Sequence, residues 1–343
     1  MVFNIIIPTY ERYDFLSEQL DRLLYCYHKS DRSIELKIHI FDNASPSISS
    51  FDYEKYESFN NVSILKRPEN IGFQRNVIDA INFLAVENFN DLVWILSDDD
   101  IIDTFGFMHL LNYLTNEKKG KQLLLLPWFT SGIGVSNSIR GILSKEEGIS
   151  NLDMLNIITA NALISSWIYP LVDIKQAISE NLETIKANSF FQIIINGAVF
   201  QKVKKVSNFK RCIGFEQPNT SWRFDVIPTF ISDRATAVVV CGELLGIDTK
   251  DIYTINFNTS LFIIQRIKLS FLKEGRIEIN RLVEALKKQV LFQDEIKKQV
   301  LILRIFQYIP LSILRIYFKE EIRQTYIAES NRHNLKLLVF ENK

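Results

Sequence analysis

Three consecutive carboxylates, Asp98, Asp99 and Asp100, end the run "WILSDDD" at residues 94 to 100. Neighbouring carboxylates repel, so their grouping calls for a compensating arrangement. One is a solvated turn in which screening weakens the repulsion and Asp103 caps a following helix, "FGFMHLLNYL". The other is a hard divalent cation, Mg²⁺ or Mn²⁺, which prefers carboxylate and phosphate oxygens. A site with only two or three protein carboxylates leaves coordination positions that substrate phosphates complete. Other chemistries have less to stand on. His28, His39, His109 and His333 show no ligand spacing, and Cys26, Cys212 and Cys241 are widely separated with no CxxC pair. No GxxxxGK[ST] or GxGxxG phosphate loop occurs.

The elements that must position the aspartates are legible in the first third of the chain. Short β-branched runs alternate there with helical patterns, the signature of strands joined by crossover helices and hence of a parallel sheet. "VFNIIIP" reads as a strand stopped by Pro8, and "LKIHIFDNAS" as a second ending at Asp42. "VSILKRP" is a third, and "DLVWILS" a fourth that delivers the aspartates. Between them, "YDFLSEQLDRLLYCYHK" spaces Phe15, Leu16, Leu20, Leu23 and Leu24 at helical intervals. "FQRNVIDAINFLAVE" does the same with Val77, Ile78, Ile81, Phe83 and Leu84. In open α/β sheets ligands bind beyond the carboxyl ends of the strands. Pro8-Thr9-Tyr10, Asp42-Asn43 and Asp98-Asp99-Asp100 are therefore expected on one rim.

Forty basic and forty acidic residues balance over 343 positions, so there is no global electrostatic footprint for nucleic acid. The odd, scattered cysteines fit a reducing compartment. "MVFNIIIPTYER" carries no basic leader, and its apolar run is too short for a signal peptide, so a cytoplasmic protein is expected.

The ordered set "IIIPTYER" (5–12), "IFDNASP" (40–46), "RPENIGFQRN" (67–76) and "LSDDD" (96–100) resembles the inverting, metal-dependent nucleotide-sugar glycosyltransferases of family 2. That resemblance covers roughly the first 105 residues. It implies a GT-A fold, a Rossmann-like mixed sheet flanked by helices, over residues 1–250. Residues 1–105 would form the nucleotide-binding half and 106–250 the acceptor half, with a helical region over 251–343. It also implies a nucleotide-diphosphate sugar donor and Mn²⁺ or Mg²⁺. Pro8, Thr9 and Tyr10 would line the nucleobase pocket with Glu11 at its edge, and Asp42 would accept hydrogen bonds from the base. Asn70 and Gly72 would form a tight turn near the nucleotide, and Arg75 would supply a cation near the phosphates or the aspartates. Asn76 would cap or pack its helix. Asp98 would touch the ribose or a metal-bound water, Asp99 the donor sugar or the metal, and Asp100 the metal itself.

The same family places an acidic base after a Phe-Phe segment, whereas "ANSFFQIIING" offers Gln192, and an amide is no general base. Asp173, Glu180, Glu183, Glu216 and Asp225 are the nearby acids; Glu183, Glu216 and Asp225 are the candidates carried forward. In "GFEQPNTSWRFDVIP", Trp222 and Arg223 suit a sugar ring and a phosphate of an acceptor, or a loop whose tryptophan docks on the core. "SSWIYP" reads as a strand edge near the acceptor, and "SGIGVSNS" as a mobile loop.

The carboxyl-terminal region is rich in Ile, Leu, Phe, Lys and Arg. Arg304 and Arg315 would each cost about 2.5–3.5 kcal/mol at a bilayer centre, and Pro310 would break a helix, so a spanning segment is disfavoured. Two readings stay open: a bundle packing on the catalytic domain or on a second copy as a homo-oligomer, or interfacial helices on the cytoplasmic face of the inner membrane. The second suits a lipid-linked saccharide acceptor and a role in surface polysaccharide synthesis. A nucleotide-sugar-binding module without catalysis is the competing class.

Overall fold

The computed structural model describes residues 1–30, 34–46, 51–116, 122–132, 135–140, 148–215, 227–255 and 301. Glu216, Trp222, Arg223 and Asp225 lie outside the described residues, as do almost all of the carboxyl-terminal segments expected to be helical.

Chain order begins β1 (Val2–Thr9), α1 (Tyr13–Lys29), β2 (Glu35–Asp42), α2 (Tyr53–Glu57), β3 (Val62–Lys66), α3 (Phe73–Phe83) and β4 (Leu92–Ile95). It continues with β5 (Ile101–Ile102), α4 (Thr104–Asn116), β6 (Leu123–Leu125), β7 (Trp128–Gly132), β8 (Val135–Arg140) and α5 (Asn151–Ala160). A 3₁₀ turn at Ile164–Ser166 leads into β9 (Trp167–Pro170), α6 (Leu171–Glu180), α7 (Leu182–Lys186), α8 (Phe191–Val203), β10 (Val206–Asn208), β11 (Gly214–Phe215) and α9 (Ile227–Leu244). Two compact units result. One comprises Met1–Phe129, Ile139–Ala187 and Phe191–Gln217, the other Thr130–Ser138, Asn188–Phe190 and Pro218–Lys343. Within the second, the Asp233 carboxylate accepts from the Ser189 hydroxyl, and the Asn188 amide donates to the Asp233 carbonyl at 2.8 Å.

The first unit is built on a seven-stranded sheet of order β10-β6-β9-β4-β1-β2-β3. All pairings are parallel except those of β9, which runs antiparallel between β4 and β6. The parallel sheet expected from alternation is thus a mixed one. "SSWIYP" supplies an interior strand and not an edge: Trp167 is fully buried, its indole N–H bonded to the Asn161 carbonyl at 2.9 Å. β1 also continues through Pro8 to Thr9, pairing with β2 along its whole length. Proline is tolerated because its missing N–H faces the β4 side, where pairing has already ended with the Leu96 N–H on the Ile6 carbonyl. "SGIGVSNS" contains the end of β7 and the start of β8, so it is not simply a loop.

Helix α1 covers the stretch its periodicity marks out, burying Leu16, Leu20, Leu23 and Leu24. Phe15 and Phe83, counted as core from their spacing, are instead exposed. Trp94 anchors β4, stacking on Phe3 and on Phe107. Its indole N–H and that of Trp128 both donate to the Ser165 carbonyl, at 2.8 and 3.0 Å. Just before β4, the fully buried Asp91 gathers three main-chain donors. Its Oδ1 accepts from Val2 at 2.8 Å, and its Oδ2 from Glu87 at 3.0 Å and Asn88 at 2.7 Å.

Candidate functional site

Because β1, β2 and β4 are parallel neighbours, the segments that follow them emerge at one edge, and side-chain bonds then knit them together. The Asn43 N–H donates to the Thr9 carbonyl at 2.9 Å, and the Glu11 N–H to the Ser45 hydroxyl at 2.8 Å. Glu11 and Ala44 both take left-handed backbone conformations, with φ of 56° and 64°. Non-glycine residues in that region carry strain of about 1–3 kcal/mol each, which the surrounding bonds must hold in place. Of the expected nucleotide-binding residues, Pro8 and Thr9 are buried at the end of β1, whereas Tyr10 and Glu11 face solvent.

Asp42 is almost fully buried at the end of β2 and accepts four hydrogen bonds. Its Oδ1 receives the Ser45 N–H at 3.0 Å and hydroxyl at 2.6 Å, and its Oδ2 the hydroxyls of Tyr13 at 2.9 Å and Tyr53 at 3.2 Å. Burial raises both phenols above their ordinary value, so they stay protonated donors. A nucleobase reading Asp42 would have to replace one of these donors, and the longest bond is that of Tyr53. Next to it, Asn43 reaches the third segment. Its side chain accepts from the Ile71 N–H at 2.9 Å and donates to Asn70 at 2.7 Å, and Asn70 in turn accepts from the Gly72 N–H at 2.9 Å.

Gly72 opens α3 with φ 83° and ψ 152°, a conformation that side-chain-bearing residues avoid. A Cβ there would meet nothing within 4 Å, so the need for glycine is one of backbone alone. Gly72→Ala is accordingly expected to lower stability by about 1–2 kcal/mol in denaturant titration without disturbing packing. Within α3, Asn76 packs and does not cap: the N-cap position is Gly72, while the Asn76 amide donates to the Phe41 carbonyl at 2.8 Å and its oxygen accepts from Arg67 at 3.2 Å. Arg75 is exposed and forms no ion pair among the described residues.

The cation at the aspartates is Arg12. Its Nη1 lies 3.0 Å from Asp98 Oδ1 and 2.8 Å from Asp99 Oδ2. Burial acts to lower the Arg12 pKa, but the facing carboxylates outweigh it and hold the guanidinium charged. Asp98 is buried, which pushes its carboxyl up to about 6 against the pull of Arg12, with Asp99 adding to the rise. Asp99 also accepts from the Ser97 hydroxyl at 2.6 Å. The loop backbone is fastened from two sides. Gln19 of α1 donates to the carbonyls of Ser97 at 2.8 Å and Asp100 at 3.0 Å, and the Ser97 N–H donates to the Ser165 hydroxyl at 2.9 Å. Asp103 caps α4, as the sequence suggests, accepting from Gly106 N–H at 2.6 Å.

No group of three or more His, Cys, Asp or Glu side chains arranged to hold a metal occurs among the described residues. The donors present suit a different kind of site. Two adjacent hard carboxylates already share one positive group, Arg12 Nη1, and a small divalent cation commonly takes one or two carboxylates and completes its shell with substrate phosphates. The aspartates fit a cation that arrives with a diphosphate; they do not form a cage by themselves.

Arg12, Gln19 and Ser165 are the site residues that motif reading passes over, whereas Asn43 lies on the rim where it is expected. Arg12 lies inside a quoted motif, so the signal was its position beside the expected ligands. Gln19 and Ser165 had no such marker. At the site's other expected edge, Gln192 sits in the first turn of α8 and donates to the Ala162 carbonyl at 2.9 Å. Glu183 projects into solvent at 88% side-chain exposure, 3.5 Å from Lys186. Glu180 pairs with Lys202 at 2.7 Å, and Asp173 is buried on α6.

No protein-family model matches the sequence, and no curated protein matches it by sequence. Solved structures do match. TarS 1-349 from S. aureus, in complex with UDP-GlcNAc, superposes with a TM-score of 0.53 at 15% identity, over 97% of this chain and 92% of that one. A longer TarS structure gives 0.50 at 16% identity, over 95% of this chain and 55% of that one. A mannosyltransferase from Pyrobaculum calidifontis, in complex with GDP-Man and Mn²⁺, gives 0.46 at 9% identity, over 93% and 87%. The seven-stranded mixed sheet flanked by helices is a GT-A, Rossmann-like fold.

Proposed function

We propose that this GT-A chain is a hexosyltransferase-like glycosyltransferase of the family 2 type, moving a sugar from a nucleotide-diphosphate donor to a saccharide acceptor. The observation that carries the reading is the convergence on one sheet edge of Thr9 to Arg12, Asp42 to Ser45 and Asp98 to Asp100, joined by Asn43–Thr9 and Glu11–Ser45 hydrogen bonds. UDP-GlcNAc in the TarS structure makes a uridine diphosphate sugar the first donor to try.

In this reading Pro8, Thr9 and Tyr10 flank the base, Asp42 accepts from its N–H groups, and the Asn70–Gly72 turn brings backbone close to the nucleotide. Arg75, exposed at the start of α3, has its guanidinium available for a phosphate. Asp98 and Asp100, with Asp99 beside them, hold Mn²⁺ or Mg²⁺, which supplies electrostatic stabilisation to the departing diphosphate. An acceptor hydroxyl needs a carboxylate to take its proton as it attacks. Gln192 cannot do this, and Glu183 stands in solvent, so Glu216 and Asp225 are the bases we favour, with Trp222 and Arg223 as the acceptor-binding candidates. The basic, apolar residues of 251–343 support a lipid-linked acceptor on the cytoplasmic face of the inner membrane, in surface polysaccharide synthesis. No helix among the described residues is long and apolar enough to cross a membrane. The amide at Gln192 also favours a second reading, a donor-binding module without turnover.

Thermal unfolding with UDP, with Mn²⁺ and with both together tests the site. Stabilisation by the pair should exceed the sum of the two alone, and Asp100→Ala should remove the excess. Additive or absent stabilisation would sink the reading. Hydrolysis of a panel of nucleotide sugars then separates enzyme from module.

A further inference from the structure

Arg12 holds an unusual position for a structural ion-pair partner. A single nitrogen, Nη1, bridges two carboxylates, at 3.0 Å from Asp98 and 2.8 Å from Asp99, on the loop that would hold the divalent cation. The contact does not use the two-pronged geometry in which guanidinium binds carboxylate most strongly. Its Nε and Nη2 make no hydrogen bond among the described residues. The side chain is one-third exposed while Asp98 is buried, so the guanidinium has an open path to water. Its backbone has no such freedom: the Arg12 carbonyl accepts from Leu16 N–H at 3.0 Å in the first turn of α1, and left-handed Glu11 is tied to Ser45.

We propose that Arg12 is a displaceable counter-cation. With the site empty of metal it neutralises Asp98 and Asp99 and keeps them in register. When a divalent cation enters with the diphosphate, the guanidinium swings off the carboxylates and its planar donors turn to the phosphate oxygens. The inference rests on the reading that these aspartates hold a donor-linked cation, and it adds a competition which that reading does not contain. One positive charge against three adjacent aspartates leaves the loop net negative, so a divalent ion is still attracted. Linkage then requires that Arg12 weaken the binding of metal alone and strengthen that of the diphosphate once metal is present.

The test uses the full chain and two probes, Mn²⁺ alone followed by electron paramagnetic resonance, and UDP at saturating Mn²⁺ followed by calorimetry. Arg12→Gln should bind Mn²⁺ alone about tenfold more tightly than the parent and UDP about tenfold more weakly, an ordinary size for coupling between neighbouring sites. Arg12→Lys keeps a charge and should stay near the parent in Mn²⁺ affinity. If Arg12→Gln binds Mn²⁺ no more tightly than the parent, or if Arg12→Lys behaves like Arg12→Gln, the counter-cation role is overturned. A parent that binds Mn²⁺ together with UDP while Arg12→Gln gains nothing removes this inference and leaves the proposed function standing. Failure of every form to bind Mn²⁺, with or without UDP, removes both. A purely structural Arg12 would lower the melting temperature on replacement and leave the metal affinity unchanged.

Discussion

Asp98→Asn is expected to make the metal-free protein more stable at pH 7.5 while abolishing donor turnover. In the folded chain burial raises the Asp98 carboxyl from 3.8 to about 6, so the native state holds a proton that the unfolded chain has already released. Unfolding free energy therefore falls as the pH rises from about 4 through about 6, and the loss is complete above pH 7. At about 1.4 kcal/mol for each pKa unit, the full ionisation penalty is near 3 kcal/mol. Asparagine keeps an oxygen that can accept from Arg12 and carries no charge to desolvate. A gain of about 2 kcal/mol at pH 7.5, vanishing below pH 4, is the expected outcome in urea titrations run with chelator. A variant less stable than the parent at pH 7.5 would show that the pairing with Arg12 outweighs burial. Loss of the joint stabilisation by UDP and Mn²⁺ in the same variant would show that this charge is retained for binding and not for folding.

Asp91→Ala should have the opposite consequence, a fold lost with no group of the proposed site touched. Its carboxylate satisfies the N–H groups of Val2, Glu87 and Asn88, and its own carbonyl accepts from Leu171 at 2.8 Å. Alanine would leave those three donors without their acceptor at the start of the central strand. The expected cost is about 3–5 kcal/mol, since hydrogen bonds to a charged group contribute more than neutral ones and stranded donors add their desolvation. Chemical denaturation reads it directly; a loss under 1 kcal/mol would mean that water replaces the carboxylate.

The contrast between these two aspartates also marks what could be read in the sequence. β1 to β4 were legible because their apolar runs are bounded by turn residues and spaced by helical periodicity. Those runs put Asp42 at a strand end and Asp98 just past another; the structure has Asp42 closing β2 and Asp98 in the turn three residues after β4. Asp91 was just the first letter of "DLVWILS", since its partners lie at residues 2, 87 and 88 and no local pattern records them. β9 was illegible as an interior strand for a similar reason. A four-residue run carries no sign of which strands it will separate. Periodicity also overstated the width of the buried faces, because Phe15 and Phe83 sit just beyond the arc that α1 and α3 turn inward. That Arg12 and not Arg75 is the cation at the aspartates required three dimensions: both lie inside the quoted motifs, but only Arg12, just before α1, reaches Asp98 and Asp99.

The placement of β9 has a further consequence, for how the chain is made. β4 pairs on one side with β1, its predecessor in the chain, but its other edge is closed only by Leu92–Trp94 meeting Ile168–Pro170. At ordinary elongation rates the ribosome needs about 4–15 s to travel from one segment to the other. Throughout that interval the nascent amino-terminal half presents an apolar, unpaired strand edge containing Val93 and Trp94. Folding of this protein in the cell therefore includes a delay during which association with another chain competes with the arrival of its own missing strand.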